Sequence, residues 1–245
     1  MSVRDADVSR RRFMKLAGAA TVMAMAGQQT PAWAAAASTK IGIIGSGNVG
    51  GALGRSWLGS GHEVMFSSRN LDHDKALVSQ LGARAHAGTP GEAALFGEVL
   101  LIAVPYRALP DVGKSLKEAL AGKVVIDACN PFPSRDGEIA DWARQKGAGL
   151  ASAELLPGAR VVRAFNAVSA ARMEAARQAP GKVGMPIAGD DARAIAVVSS
   201  LIRDIGYEPV LIGNLAMGRY LMPGTPLAGE RTADEIRKIA ATLQP

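Results

Sequence analysis

Two stretches of this chain carry residues suited to chemistry: Gly45-Ser46-Gly47-Asn48-Val49-Gly50 and Ser67-Ser68-Arg69-Asn70. The first matches G-x-G-x-x-G. In such a turn the first glycine permits a tight bend and the second lets backbone approach a pyrophosphate. The third lets the next helix lie close on the sheet. That helix points free N–H groups and a partial positive charge at the phosphates. The second stretch ends a strand where a site preferring NAD places Asp or Glu to accept from the ribose hydroxyls. Here Phe66-Ser67-Ser68-Arg69 holds no acid. Two hydroxyls and a guanidinium suit a 2′-phosphate through charge-assisted hydrogen bonds, so the corner reads as one for NADP(H). The competing reading makes Arg69 a solvated charge and the serines turn residues.

Further along, Ala103, Val104 and Pro105 close an apolar strand and so flank the ribose, because ligands of open α/β sheets lie beyond the carboxyl ends of strands. Asn130 falls where the nicotinamide end belongs. It reads either as an amide that fixes the carboxamide or as an Asn-Pro turn residue. Cys129, the single cysteine, reads as a small buried residue. One cysteine excludes an intramolecular disulfide and a zinc or iron–sulfur site built on cysteines. His62, His73 and His86 fall in turns or near element ends, away from the nicotinamide position, and read as surface or turn residues. No G-x-S-x-G or H-E-x-x-H occurs, so hydrolase and metalloprotease readings have no support.

The elements that must hold these residues alternate. Strands are expected at Ile41–Ile44, Glu63–Phe66, Arg84–His86, Glu98–Pro105, Lys123–Asp127, Arg160–Asn166, Val183–Gly189 and Tyr207–Ile212. Helices are expected at Asn48–Leu58, Asp72–Leu81, from Thr89-Pro90, over Tyr106–Ala121, Glu138–Lys146, Ala151–Leu156, from Asp190-Asp191 to Asp204, and over Ile236–Leu243. Gly213–Gly229 reads as an irregular loop. This pattern predicts a Rossmann-type, doubly wound, mostly parallel sheet in a single compact α/β domain.

That domain is expected over residues 35–245. Before it, Ser9-Arg10-Arg11-Arg12-Phe13-Met14-Lys15 matches the twin-arginine export motif. An apolar run, Leu16 to Gly27, follows, too short and too rich in Gly and Ala to span a bilayer. Ala32-Trp33-Ala34 then offers an A-x-A cleavage site. Residues 1–34 read as a signal peptide handled by the twin-arginine (Tat) machinery, which places the mature chain in the periplasm. The five basic and two acidic residues of this segment account for half of the net charge of +6. No basic cluster argues for nucleic acid.

Taken together, GSGNVGGALG, FSSRN, AVPY, RVVRAFNAV and AGDDARA…LIRDIGYEPV resemble the NADPH-dependent F420 reductase family, the deazaflavin-linked NADP oxidoreductases. The resemblance runs over roughly residues 39–227 and extends to the reductase domain of membrane ferric reductases. It implies pyrophosphate on Ser46, Gly47, Asn48 and Val49, and a 2′-phosphate on Ser68 and Arg69. It puts the nicotinamide against Val104, Pro105 and Phe165-Asn166-Ala167, with a flavin-like ring stacked on it as hydride partner.

The function expected is therefore NADP-dependent hydride transfer to or from a flavin, deazaflavin (F420) or other small-molecule redox acceptor. Phe165, Asn166 and Tyr220-Leu221-Met222-Pro223 would wall the acceptor site, although Phe165 and Met222 also suit a core. Such transfer depends on stacking and placement more than on a proton donor. An exported NADP-binding accessory or sensor, and a reductase of small carbonyls or imines, stay as alternatives, and a homodimer is left open.

Overall fold

The computed structural model describes residues 38–173 and 181–245. The export motif, apolar run and cleavage site lie outside them. Within Ser38–Pro245, one unit, the elements in chain order are β1 (Lys40–Ile44), α1 (Asn48–Gly59), β2 (Glu63–Ser67), α2 (Leu71–Val78), β3 (Ala85–Ala87), α3 (Pro90–Phe96) and β4 (Val99–Ile102). A 3₁₀ turn (Tyr106–Ala108) leads into α4 (Leu109–Ser115), α5 (Lys117–Leu120), β5 (Val124–Asp127), α6 (Pro133–Asp136), α7 (Glu138–Lys146), α8 (Ala148–Leu155) and β6 (Arg160–Arg163). Then come α9 (Ala170–Met173), β7 (Val183–Gly189), α10 (Ala192–Asp204), β8 (Tyr207–Gly213), a 3₁₀ stretch (Leu215–Tyr220) and α11 (Ala233–Ala240).

Val99-Leu100-Leu101-Ile102 and Val124-Val125-Ile126-Asp127 are buried at every position. A strand covered by helices on both faces needs such a run. Alternate residues feed two cores. Ile41, Ile43, Val99, Leu101 and Ile126 meet Leu53 and Trp57 of α1 and Val198 and Leu201 of α10. Ile44, Leu100, Ile102 and Val125 meet Leu109, Leu120 and Ala151 on the other face. Trp57 Nε1–H donates to the Leu201 carbonyl at 2.9 Å, so the largest core side chain also satisfies its polar group.

The sheet order is β3-β2-β1-β4-β5-β6-β7-β8, and every pairing is parallel except β6 with β7. The order reverses between β1 and β4, which opens a crevice at the carboxyl end of β1. Register then aligns the edge: Ser67, Ile44, Ile102, Asp127 and Arg163 are successive cross-strand partners. Residues one step beyond this row form the rim of the crevice.

Four expectations need correction. The strand expected over Glu98–Pro105 spans only Val99–Ile102, and Ala103, Val104 and Pro105 lie beyond its end on the rim. The helix expected over Tyr106–Ala121 is broken into the 3₁₀ turn, α4 and α5. Pro110 has no N–H to give, and it restarts the helix in its first turn, where none is needed. The strand expected to reach Asn166 stops at Arg163, because Phe165 turns the chain with φ +68°, the one non-glycine with positive φ among the described residues. The last helix begins earlier than expected. Thr232 and Glu235 form a reciprocal capping box that starts α11 at Ala233, a T-x-x-E signal present in the sequence.

Candidate functional site

The phosphate loop leaves β1 and enters α1 within three residues. Gly45 takes φ +103°, and a Cβ there would lie 2.4 Å from the Ala103 carbonyl oxygen. A Cβ on Gly50 would lie 2.0 Å from the Gly45 carbonyl oxygen. Gly47 differs from both. Its backbone is extended, with negative φ (−65°, ψ −158°), and a Cβ there would meet nothing within 4 Å. Gly45 and Gly50 are thus required by packing, while packing leaves open space at Gly47. As the residue before α1, Gly47 brings no side-chain cap, so the N–H groups of the first turn keep their bonding capacity.

A cavity of about 420 Å³ opens at this loop. Gly45, Ser46 and Gly47 line one side, Ser68 and Arg69 another, and Ala103, Val104 and Pro105 the floor. Eight of the residues expected at the cofactor therefore meet around one space. Arg107, Ala108, Asp111, Val112 and Ser115 add a helical wall, and Ile44, Pro90 and Leu116 complete the lining. Sequence reasoning passes over this wall. Its signal is the spacing of Ala108, Val112 and Ser115, a stripe at helical period. Asn48 faces a second cavity of about 310 Å³, shared with Ala52, Arg55, Ala170 and Ala171. Val49 is half-buried and packs against the core.

The corner at the end of β2 is built differently from its expected form. Ser67 is fully buried, and its hydroxyl donates to the Ile43 carbonyl at 2.6 Å. It faces the sheet, because it is still a strand residue and its side chain alternates away from the rim. Ser68 and Arg69 do line the cavity. The corner also holds an acid that β2 itself lacks. Asp74, fully buried in α2, accepts from Ser46 Oγ through one carboxylate oxygen and from Ser68 Oγ, at 2.8 Å, through the other. Asn70 caps α2 by accepting from the His73 N–H at 3.1 Å, and this sets the turn that brings Asp74 back under both serines.

At the other end of the rim, Arg163 is fully buried and spends all five N–H groups. Nη1 donates to Asp127 Oδ2 at 2.5 Å and to the Cys129 carbonyl at 2.8 Å. Nη2 reaches Asn130 Oδ1 and the Leu221 carbonyl, both at 3.1 Å, and Nε reaches the Gly218 carbonyl at 3.2 Å. The Asn130 amide is thereby occupied, its Nδ2 donating to the Asn166 carbonyl at 2.9 Å. It is a strut of this network, with its amide plane fixed by both bonds, and its second Nδ2 hydrogen keeps the capacity to bond a carboxamide. The Phe165 ring, 2% exposed, packs edge-on against Trp57 and Tyr207. Leu221 and Met222 are buried too. These three side chains belong to the core and do not wall an acceptor site. Ala167 is buried, its carbonyl accepting from the Gly229 N–H at 2.8 Å. Asn166 Nδ2 donates to the Cys129 carbonyl at 3.3 Å, while its Oδ1 is buried and has no donor.

The titratable groups nearby are poor proton donors and acceptors. Burial pushes the Cys129 thiol well above its ordinary value, and the Asp127 charge adds to the shift. Burial likewise raises Tyr106, and it raises Tyr207 to about 12. His62 sits in the turn entering β2, as expected, but it is buried there. It is 2% exposed, accepts from the Thr39 N–H at its Nδ1 and contacts Asp204 at 3.1 Å through Nε2. It therefore ties the start of β1 to the end of α10.

Known proteins resemble this chain over the same region. The family described as NADP oxidoreductase coenzyme F420-dependent matches residues 40–131. The F420-dependent NADP reductase of Methanothermobacter marburgensis is 31% identical over 204 residues, covering 77% of this chain and 90% of that one. Metalloreductase STEAP3 of Rattus norvegicus is 34% identical over 180 residues, which are 74% of this chain and 35% of the rat protein. The crystal structure of hypothetical protein SMa0349 from Sinorhizobium meliloti superposes with a TM-score of 0.68 at 27% identity, covering 80% of this chain and 95% of that one.

Proposed function

This chain belongs to the family of coenzyme F420-dependent NADP oxidoreductases, and from that premise we propose that it passes hydride between the nicotinamide of NADP(H) and a flavin-like, deazaflavin or other redox acceptor. It is an NADP-dependent oxidoreductase. One observation carries the reading of the site. Gly47 is a glycine that packing does not need, since a Cβ there would meet nothing, at the position where a pyrophosphate must touch the main chain.

The residues divide the work as follows. The first-turn N–H groups beyond Gly47, at Asn48 and Val49, hold the pyrophosphate, and Gly50 lets α1 come close enough for them to do so. Arg69, beside Ser68, meets the 2′-phosphate. Ala103, Val104 and Pro105 floor the ribose. Asn166 Oδ1, buried without a donor, accepts from the carboxamide amine, since a buried acceptor is seldom left unpaired. Bound NADP(H) supplies the hydride. The protein orients the ring and excludes water, and the raised thiol and phenols nearby stay protonated and out of the reaction.

The relatives named F420-dependent NADP reductase support a deazaflavin as acceptor, and the relative named metalloreductase supports a metal ion. The N-terminal motif supports export by the twin-arginine machinery with nucleotide already loaded, hence a periplasmic enzyme. Among the described residues no helix is long and apolar enough to cross a membrane. Replacing Arg10 and Arg11 by Lys should hold the chain in the cytoplasm; unchanged fractionation would remove the export reading. A single band at twice the chain mass in native mass spectrometry would support the homodimer.

The test of function takes protein purified from its native compartment. Denaturation should release NADP or NADPH, identified by mass spectrometry. Mixing the NADPH-loaded protein with riboflavin, FMN or a deazaflavin should oxidise the nucleotide over many turnovers. Release of NADP(H) without turnover on any acceptor would favour the accessory or sensor reading, and absence of binding would sink both.

A further inference from the structure

We propose that Asp74 sets the cofactor preference of this site by turning the hydroxyl protons of Ser46 and Ser68 inward. The proposal rests on the nucleotide-binding reading given above. A serine has one O–H to donate. Ser46 donates its proton to Asp74 Oδ1, and Ser68 has two acceptors, Asp74 Oδ2 at 2.8 Å and the Asn70 carbonyl at 3.2 Å, of which the nearer, charged carboxylate takes the proton. Ser68 Oγ in turn accepts from the Asn70 N–H at 3.1 Å. Both serines line the cavity, so what they offer it is oxygen lone pairs.

Phosphate oxygens need donors. A ribose hydroxyl brings its own proton and can use an acceptor. In this arrangement the 2′-phosphate finds the Arg69 guanidinium but neither hydroxyl proton, and a fully buried carboxylate lies directly behind the two serines. His73 Nδ1 lies 3.5 Å from Asp74 Oδ1, on a ring that is largely exposed. The corner thus combines a guanidinium that favours NADP(H) with a hidden acid that favours the unphosphorylated ribose of NAD(H). The acid reaches it from the first turn of α2 and not from the end of β2. Asp74 is a positioning residue: it acts through the serines and does not touch the nucleotide.

The substitution Asp74→Asn tests this. The amide oxygen it introduces still accepts from one serine, while the amide nitrogen donates to the other; where that is Ser68, its O–H keeps only the longer bond to the Asn70 carbonyl at 3.2 Å, a neutral acceptor that a phosphate oxygen outcompetes. The negative charge is also gone. Dissociation constants for NADPH and NADH are measured by fluorescence titration on the full chain, for wild type, Asp74→Asn and Asp74→Asn with Ser68→Ala. Asp74→Asn should raise the preference for NADPH over NADH about tenfold, the size of one hydrogen bond to a charged group. Adding Ser68→Ala should remove at least about threefold of that gain, because the freed donor is lost. A structural tie alone would weaken both nucleotides equally. The proposal is overturned if Asp74→Asn binds NADPH yet leaves the ratio within about twofold of wild type, or moves it toward NADH. Asp74→Ser, uncharged and smaller, takes the same criterion if the Asp74→Asn protein does not fold. Wild type that binds neither nucleotide overturns the cofactor reading, and this inference with it.

Discussion

The two ends of the rim hold charge in opposite ways. At the β1–β2 end, the first-turn N–H groups of α1 carry no side-chain cap, Gly47 has free space around it, and Arg69 is exposed. At the β5–β6 end, Arg163 is sealed from solvent with every N–H paired, and Asn130 is locked to it. One end keeps unspent bonding capacity and so can take a ligand. The other spends nearly all of its capacity on holding itself in place, leaving Asn166 Oδ1 and one Nδ2 hydrogen of Asn130 as its exceptions. A crevice for a long ligand needs both: an end that grips and an end that stays put so the reactive ring is placed.

Arg163→Met should give the largest effect. It leaves Asp127 as a buried charge without its partner, a change that costs about 3–5 kcal/mol. For a chain of this size that corresponds to a fall in melting temperature of roughly 10 °C. Calorimetry of the two proteins decides it. A fall of under about 2 °C would mean the guanidinium is not holding the β5–β6 end together. Arg163→Lys cannot rescue fully, since one ammonium has three donors for five acceptors.

Gly47→Val comes next and isolates the gripping end. The φ there is negative and the Cβ meets nothing, so the melting temperature should stay within about 3 °C of wild type. NADPH binding should fall at least about 100-fold, because the side chain fills the approach to the first-turn N–H groups. Gly50→Ala is the control with the reverse outcome: its Cβ would strike the Gly45 carbonyl, so stability falls first. If Gly47→Val binds NADPH normally, the loop does not approach a pyrophosphate.

Arg69→Ala should weaken NADPH about tenfold or more, the size of a charge-assisted bond, and NADH by under about threefold. Equal losses would show that the guanidinium does not read the 2′-phosphate. This corner also shows where sequence reading stops. The gripping end is legible because its parts fall in one window, Gly45 to Arg69, and because backbone N–H groups do its work. Asp74 lies only a turn past Arg69, yet the sequence does not reveal it, since nothing local says that α2 folds it back beneath Ser46. At the β5–β6 end each residue reads alone. Asn130 and Phe165 read as ligand contacts, although their partners, Arg163, Trp57 and Tyr207, are distant in sequence and meet them only through the sheet order. The fold is legible for a different reason: strand and helix periods alternate along the chain, and an error of a few residues at an element's end does not change that order.

Cys129 gives the smallest effect and the finest check on how closed the β5–β6 end is. Its thiol is 1% exposed and donates to the Ile102 carbonyl at 3.4 Å. Burial and the neighbouring Asp127 raise its pKa in the folded state. The unfolded thiol ionises near its ordinary value of about 8.5, while the folded one stays protonated. Unfolding therefore releases a proton once pH exceeds that value, so stability falls as pH rises from about 8.5 upward and is untouched below it. Cys129→Ala removes a small buried side chain at a cost of about 1 kcal/mol and should flatten that alkaline slope. Urea melts at successive pH values compare the two proteins. An identical slope in both would mean that the thiol ionises as freely in the folded chain as in the unfolded one, and that the β5–β6 end admits water.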